Sequence, residues 1–293
     1  MKLLLAGTLF VLLAMPLGAQ RSGRAPTANS PEGLAQAGSS LSRDEAEAIE
    51  KLLAQNPRDL DARAKMLGYY FYQWMPIGEE AARAARARHI HYLIQTFPDS
   101  QVLGLYETAI DPKGHQLADP AAYEKARQLW NAQLAAKASN ARVWGNASKF
   151  FQLNDKELSE KALLKAMELE PGNGEWEWRL GYLYALGILG VDGLAFNGQP
   201  TSLDPMAKDG PFATKAKQTL ETTRSAMVLA VAGNTLYRYG SILAPTAKGR
   251  LEHILDAERL FRRAQTIEPG NPTWAQLLQQ LQGMKTQMTA PGQ

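Results

Sequence analysis

The sequence contains no cysteine. No disulfide bond can therefore form, even in an oxidising compartment, and the cysteine that carries the lipid of a bacterial lipoprotein is missing as well. Stability must come from the packing of apolar residues, which make up 45% of the 293-residue chain. That fraction supports a real hydrophobic core, so we expect a folded protein and not an intrinsically disordered one.

The sequence also lacks familiar catalytic and nucleotide-binding motifs: no Gly-x-Ser-x-Gly elbow, no His-Glu-x-x-His helix, no Walker loop and no dinucleotide fingerprint. His89 and His91 are two residues apart, so on a helix their side chains point about 200° apart and cannot share a metal ion. Around His115, with Asp111 and Asp119, the sequence favours a plain loop over a weak metal site. It thus predicts no enzyme, no metal site and no cofactor.

Neither positive nor negative charge is in large excess. The 32 Lys and Arg residues nearly balance the 29 Asp and Glu residues, which leaves a formal net charge of +3. No run of Lys or Arg is longer than two, and the densest basic stretch, Arg83 to Arg88, is typical of a solvated helix surface. Dedicated nucleic-acid-binding proteins concentrate basic residues on one face. We therefore expect no nucleic-acid partner.

Long hydrophobic runs are confined to the N-terminus. Met1-Lys2 precedes a largely apolar stretch over 3–15, which Pro16 and the small pair Gly18-Ala19 follow. This three-part plan is typical of a secretory signal peptide, and thirteen residues fall short of the roughly 20 that a bilayer span needs. We predict a signal peptide at 1–19 and an exported protein, periplasmic or secreted, with no stable membrane span after cleavage. An uncleaved anchor is the alternative.

The next segment, 20–42, is rich in Gly, Ser, Pro and Ala and has almost no large apolar side chain. Such a composition cannot bury enough surface to offset its ordering entropy, so we predict a flexible linker. Order is expected from Ser42, which is suited to cap a helix that begins with acidic residues.

From residue 43 onward apolar residues recur at helical spacing, and no convincing strand alternation is present. The helical patterns end at clusters of Pro, Gly and Asn, each of which is a physical stop for a helix. Corresponding stops lie 33 to 41 residues apart, and the tetrapeptide Glu-Pro-Gly-Asn occurs twice, at 170–173 and 268–271. Periods of this size are typical of stacked helix pairs, so the predicted fold class is all-α.

The stretch 140–173 carries the pattern of one repeat unit. On its first helix Ala147 is followed by Phe150 on the same face. Its second helix has a small, large, small set before a terminating proline: Ser159, Leu163, Ala166 and Pro171. The second Glu-Pro-Gly-Asn follows an equivalent set: Ala257, Phe261, Ala264 and Pro269. The pattern resembles the tetratricopeptide repeat. Over roughly 43–290 the resemblance implies a right-handed α-solenoid of helix hairpins, with an inserted loop at 190–211.

In a tetratricopeptide array the first helices line a concave groove. The resemblance implies that the groove here contains the following residues: Tyr69, Tyr72, Trp144, Phe151, Trp178, Tyr182, Tyr237 and Lys65. Aromatic side chains with polar tips suit peptide binding because they bury area and keep a hydrogen-bonding group. The alternative is that these aromatics pack against the insert or against neighbouring helices.

The resemblance therefore implies a non-catalytic scaffold that binds a protein or peptide, and the apolar leader implies that the scaffold is exported and that its partner is an exported or envelope protein. A rival hypothesis is a small-molecule or carbohydrate-binding protein, or an enzyme, with the insert 190–211 as one wall of a closed pocket. A third is a structural protein that self-associates through its ends. The sequence leaves the oligomeric state open. A glycosylation sequon at Asn146 falls inside a predicted helix and is discounted.

Overall fold

The computed structural model of the protein describes residues 27–113, 117–194, 200–203, 210–243 and 246–289. Within these ranges the chain is almost entirely helical, which confirms the all-α fold class. None of the described helices is long and apolar enough to cross a membrane. The predicted signal peptide, 1–19, lies outside the described residues, as does 20–26 of the predicted linker.

The described residues contain thirteen α-helices, numbered here in chain order. Their bounds are α1 Pro31–Gly38, α2 Arg43–Gln55, α3 Leu60–Tyr72, α4 Trp74–Ile77, α5 Glu79–Thr96, α6 Pro120–Ala136, α7 Ala141–Phe151, α8 Lys156–Leu169, α9 Gly174–Leu189, α10 Pro211–Thr222, α11 Ala226–Leu243, α12 Ala247–Ile267 and α13 Pro272–Thr289. Two short 3-10 helices, Gln101–Gly104 and Tyr106–Thr108, lie between α5 and α6.

A small antiparallel ribbon follows α9, inside the region predicted as an insert. It pairs β1 Val191–Leu194 with β2 Pro200–Leu203, and its register is irregular. The sequence did not predict these strands because four-residue strands with an irregular register carry no clear apolar–polar alternation.

Side-chain caps fix where several helices begin. Ser42 Oγ accepts from the N–H of Glu45 while the Glu45 carboxylate accepts from the N–H of Ser42, which confirms the helix start predicted there. At other starts too a side-chain oxygen accepts from a backbone N–H of the first turn, as at Asp59, Asp119, Asn140, Asp155 and Asn173. Each of these caps satisfies an N–H group that the helix itself leaves without a partner.

The two Glu-Pro-Gly-Asn tetrapeptides make the same turn. In the first, Asn173 donates from Nδ2 to Glu170 Oε2 (2.8 Å), and its Oδ1 accepts from the N–H two residues on (3.0 Å). In the second, Asn271 donates to Glu268 Oε2 (3.0 Å) and accepts from the N–H two residues on (3.1 Å). The asparagine thus holds the end of one helix and caps the next, which explains why the motif recurs.

Helices that follow one another in the chain pack together from α7 to α9 and from α11 to α13, and α9 packs on both α10 and α11. One apolar cluster runs from α8 to α13, with these large buried side chains: Trp176, Tyr184, Phe261 and Trp274. A second cluster joins α1, α3, α5, α6 and α7 around Trp130 and Phe150.

The predicted linker contains a packed helix. α1 lies within 20–42, is capped by Ser30, and buries Leu34 and Ala35 in the cluster that includes α3. A Cβ at Gly68 of α3 would collide with the carbonyl oxygen of Ala35, so the two backbones approach closely only because glycine has no side chain. α1 therefore packs on α3 through close backbone contact, although the segment has almost no large apolar side chains. The linker prediction is therefore wrong for 31–38.

Candidate functional site

The eight residues predicted to line a groove do not form one surface. Tyr69 is only 7% exposed and Phe151 only 1%, and both side chains belong to apolar clusters. Phe151 is a core residue, so its predicted place in an accessible groove is corrected, whereas Tyr69 also borders the cavity between α2, α3 and α5. Each is covered by neighbouring helices that the spacing within its own helix could not predict.

Three more of the predicted residues make contacts within the fold. The hydroxyl of Tyr237 lies 2.9 Å from Met284 Sδ, and the backbone of Lys65 lies against α1. The hydroxyl of Tyr72 donates to Glu107 Oε1 (2.9 Å). Burial raises the pKa of Tyr72, and the charge of Glu107 and the hydrogen bond to it raise this pKa further. None of these three predicted residues lines the cleft in which Trp178 lies.

Trp144 and Trp178, both predicted to line the groove, line different cavities. Trp144 is partly buried on α7, its indole N–H donates to Ala138 O (2.9 Å), and it borders a cavity beside α8. Trp178, 36% exposed, lies on α9 and borders a cleft between α7 and α9. Of the predicted residues, Trp178 and Tyr182 are the two that line this cleft.

The α7–α9 cleft has a volume of about 590 Å³ and is lined mainly by one face of each helix. The α7 side consists of Arg142, Asn146, Lys149 and Gln152, and the α9 side of Glu175, Trp178, Arg179 and Tyr182. Side chains three, four and seven positions apart share a helix face, so the spacing within each set places its members together. The lining also includes Glu32 of α1 and residues of the first 3-10 helix.

An ion-pair network holds the two faces of the cleft together. Arg142 Nη1 donates to both carboxylate oxygens of Glu175, at 2.9 and 2.8 Å. Arg179 donates to Glu175 Oε1 (2.6 Å) and to Gly145 O (2.8 Å). The guanidinium groups also lie over the ring of Trp176, 4.6 and 5.2 Å from its centroid. Because these contacts join α7 to α9, they fix the spacing of the two faces.

The aromatic part of the cleft is a supported pair of rings. Trp178 stacks on Tyr182, with ring centroids 5.4 Å apart and planes inclined by 15°, and Tyr182 meets the edge of Tyr239 at 6.5 Å. Burial raises the pKa of Tyr182, and Tyr239 raises it further, so the phenol stays neutral at physiological pH. The exposed part of Trp178 therefore gives the cleft an apolar contact surface on a fixed base.

Two buried amides complete the polar lining. Asn146 is 1% exposed, and its Nδ2 donates to Pro98 O (2.9 Å) and to Ser100 O (3.0 Å). Gln152 is 8% exposed, and among the described residues its side chain has no hydrogen-bond partner. Both amides border the cleft.

The sequence-based interpretation missed these polar residues. It treats Asn146 only as part of a sequon, and the burial of Asn146 and of Ser148, 2% exposed, excludes that site as an accessible acceptor in the folded protein. The available signal was the run of polar side chains at positions i, i+4 and i+7 of one helix face: Arg142, Asn146 and Lys149.

A second cluster of titratable groups joins α2 to α3 and α5. Glu50 Oε1 accepts from three donors: Tyr70 Oη (2.8 Å), Arg88 Nη2 (2.8 Å) and His89 Nε2 (3.0 Å). On its other side His89 Nδ1 lies 3.1 Å from Arg63 Nη1. A guanidinium can only donate, so Nδ1 is the acceptor and Nε2 carries the hydrogen.

The same contacts set the ionisation of this cluster. Burial raises the pKa of Glu50, but the hydrogen bonds from His89 and Tyr70 and the nearby positive charge outweigh burial and bring it to about 2. Burial lowers the pKa of His89, against the opposing effect of Glu50. The cluster borders a cavity of about 740 Å³ between α2, α3 and α5. Because both imidazole nitrogens are engaged, the cluster is suited to fastening α2.

No group of three or more His, Cys, Asp or Glu side chains that could hold a metal ion occurs among the described residues. Asp119 caps α6, and Asp111 accepts from the N–H of Lys113, as turn-forming residues do. His115 lies outside the described residues. His91 faces α6, with Nε2 2.9 Å from Ala122 O, and so points away from the partners of His89 as helix geometry predicts.

A scan against protein-family models and a search of curated proteins both find no match for this chain.

Proposed function

We propose that this protein is an exported, non-catalytic scaffold that binds a segment of another protein in the α7–α9 cleft. The observation that carries the proposal is the composition of that cleft: an exposed aromatic ring on a fixed base, an ion-pair network and two buried amides, arranged along two helix faces. Apolar contact surface combined with a few fixed polar groups is typical of a binding site.

We further propose that the helices form a right-handed solenoid of tetratricopeptide-like hairpins. Packing between helices adjacent in the chain supports this proposal, and so do the two equivalent Glu-Pro-Gly-Asn turns. The small residues of the repeat pattern are fully buried: Ala147, Ser159, Ala166, Ala257 and Ala264 are each 0% exposed. Such solenoids present extended concave surfaces to their partners.

The state of the charged groups favours binding over catalysis. Glu175, the carboxylate held between the helices of the cleft, accepts hydrogen bonds from two arginines, and His89 beside the larger cavity has both nitrogens engaged. Both groups thus contribute to contacts between helices, which supports a structural and binding role for them. No described residue of 190–211 lines the α7–α9 cleft or the cavity between α2, α3 and α5.

Export is proposed from the apolar leader at 1–19, and it places the partner among exported or envelope proteins. N-terminal sequencing of the protein from an envelope or culture fraction is expected to begin near Gln20. An intact Met1 on protein confined to the cytosol would contradict export.

Co-purification with matched variants tests the binding proposal. The purified protein, a Trp178→Ala variant and a Trp144→Ala variant serve as baits in an envelope extract, each with its helix content checked by circular dichroism. Trp144→Ala is the control, because that ring lies on a different surface. Partners retained by the wild type and by Trp144→Ala, lost from Trp178→Ala and bound at least 10-fold more weakly by that variant in a titration support the proposal. Identical partner sets for all three baits contradict it.

A further inference from the structure

We propose that Asn146 and Gln152 bind the main chain of an extended peptide, so that the cleft recognises backbone amides and takes its side-chain preference from Trp178. This inference rests on the proposed function and names the chemistry of its ligand. It starts from two side chains that are more than nine-tenths buried and still have unused hydrogen-bonding capacity toward the cleft. Neither residue is among the described residues with a fully buried, unpartnered polar atom, so a ligand in the cleft can reach the unused amide atoms and pair with them.

The orientation of Asn146 is fixed. Both partners of its amide, Pro98 O and Ser100 O, are carbonyl oxygens, so the atom that faces them must be the NH₂ group. The remaining atom, Oδ1, then points away from these carbonyls. It is not among the fully buried, unpartnered side-chain atoms of the described residues, although the residue as a whole is buried. Asn146 therefore offers the cleft a single acceptor, which a peptide N–H fits.

Gln152 supplies the complementary group. Its amide has two donor hydrogens and one acceptor, and none of them is used by a described residue. The residue follows α7 directly, six positions after Asn146, which at 1.5 Å per residue places the two about 9 Å apart along the helix axis. An extended chain covers that distance in about three residues at 3.3 Å each, so one peptide can reach both amides.

The shape of the cleft favours a linear chain over a compact sugar. The α7 side extends over ten positions, from 142 to 152, or about 15 Å, and the α9 side over seven, from 175 to 182, or about 10 Å. Trp178 lies on the α9 side of the cleft and the two amides lie on its α7 side. A peptide whose backbone pairs with the amides would therefore present side chains to the ring. We expect a preference for an aromatic or other apolar residue at that point, and tolerance of sequence elsewhere.

A phage-displayed library of random dodecapeptides, panned against the purified full chain, provides the probes. Selected peptides are synthesised and titrated against wild type, Gln152→Met, Trp178→Ala and the control Gln128→Met, which lies on the exposed side of α6. We expect Gln152→Met to weaken every selected peptide by about 3- to 10-fold whatever its sequence, and Gln128→Met to have no effect. Gln152 makes no hydrogen bond within the described structure, so its replacement should leave the unfolding midpoint unchanged.

An ester scan tests Asn146 directly. Replacing each peptide N–H in turn by an ester oxygen should reveal one position at which wild-type binding falls by about 3- to 10-fold, and that loss should disappear in Asn146→Leu. If Asn146→Leu does not fold, the effect of Gln152→Met on peptide affinity alone decides whether the cleft recognises the peptide main chain.

The outcomes separate the two proposals. Main-chain recognition is overturned if the selected peptides lose affinity in Trp178→Ala but not in Gln152→Met and if no ester substitution weakens binding. That result leaves the proposed function intact. A library that yields no peptide, or peptides indifferent to Trp178→Ala, overturns both. A glycan array gives a further outcome. If the library yields no peptide, and oligosaccharides bind the wild type but not Trp178→Ala, then main-chain recognition and the proposed function are both overturned.

Discussion

At Gly145 the lack of a side chain determines how closely α7 approaches α9. A Cβ at this position would collide with the ring of Trp176, which is 0% exposed and part of the core. The same indole donates from Nε1 to Glu170 Oε2 (3.0 Å) and carries the two cleft arginines over its face. The ring of Trp176 thus contacts the first Glu-Pro-Gly-Asn turn, the hydrophobic core and the arginines of the cleft.

We predict that Gly145→Ala lowers the free energy of unfolding by about 1–3 kcal/mol, because the buried ring has no room to shift. Gly283→Ala is the control: it lies in α13, where an added Cβ meets no atom within 4 Å, and it should stabilise the protein by up to about 1 kcal/mol. Urea denaturation followed by circular dichroism measures both. Equal effects of the two substitutions would contradict this account of the close approach.

Individual residues show what helical periodicity can predict. It places Trp178 and Tyr182 on one face because they are four positions apart, and the structure brings both to the cleft. It also places Phe151 on a helix face, but which neighbouring helix covers that face depends on contacts distant in sequence, and Phe151 is buried. For the same reason the sequence did not reveal the buried amide of Asn146 as part of a site.

At the scale of elements, α2 is held to α3 and α5 by the Glu50 cluster. The carboxylate of Glu50, on α2, accepts hydrogen bonds from residues of α3 and α5: Tyr70, Arg88 and His89. Few side chains of α2 are buried, namely Ala46 and Leu53. The attachment of α2 should therefore depend on the charge state of this cluster.

We predict that α2 loosens in acid. His89 has a folded-state pKa below its ordinary 6.5, so its contribution to stability is complete above pH 6.5 and is lost as the pH falls through the folded value. Glu50 has a folded pKa of about 2 against an ordinary 4.5, so its contribution is lost between about pH 4.5 and 2. Hydrogen exchange of residues 43–55, corrected for the intrinsic pH effect, should speed up below pH 6.5.

A His89→Gln variant separates the two groups. Its amide can still accept from Arg63 and donate to Glu50, but it does not titrate, so the change in exchange just below pH 6.5 should vanish while the change below pH 4.5 remains. The same exchange profile in the variant and the wild type would show that His89 does not control α2.

α10, which follows the ribbon, is held by a buried carboxylate. Glu160 of α8 is 2% exposed, accepts from Tyr184 Oη (2.9 Å) and pairs with Lys215 of α10. We predict that Lys215→Met lowers the free energy of unfolding by about 1–3 kcal/mol, because Glu160 keeps its burial and loses its cation. The exposed neighbour Lys217→Met should change it by less than about 0.5 kcal/mol. Thermal or urea unfolding compares the two, and equal effects would rule out an anchoring role.

Helix ends could be predicted from the sequence because their causes are local. Asn140 and Asn173 each cap a helix through a backbone N–H two or three residues on, and a short stretch of sequence contains both partners. α1 could not be predicted in this way, because it packs through the contact between Ala35 and Gly68, 33 positions apart in the chain. Composition alone therefore suggested a linker there.

At the scale of the whole molecule, the most prominent feature is the repetition of helices and turns. Helix spacing and the recurring Glu-Pro-Gly-Asn turn predicted an all-α chain, which the structure confirms. Neither feature determines which faces of the helices remain open, because that depends on how successive pairs stack. The cleft between α7 and α9 could not be predicted from the sequence. It depends on ion pairs that join the two helices and on a stacked pair of rings on α9.

Photocrosslinking in the cells that express the protein can show whether another protein binds in the α7–α9 cleft. Benzoylphenylalanine replaces Trp178 in one variant and Trp144 in another, so that the two probes report on different surfaces of the same fold. The account predicts a discrete, ultraviolet-dependent adduct with another protein from position 178 and none from position 144. No adduct from 178, or the same adduct from both positions, would contradict binding in the α7–α9 cleft.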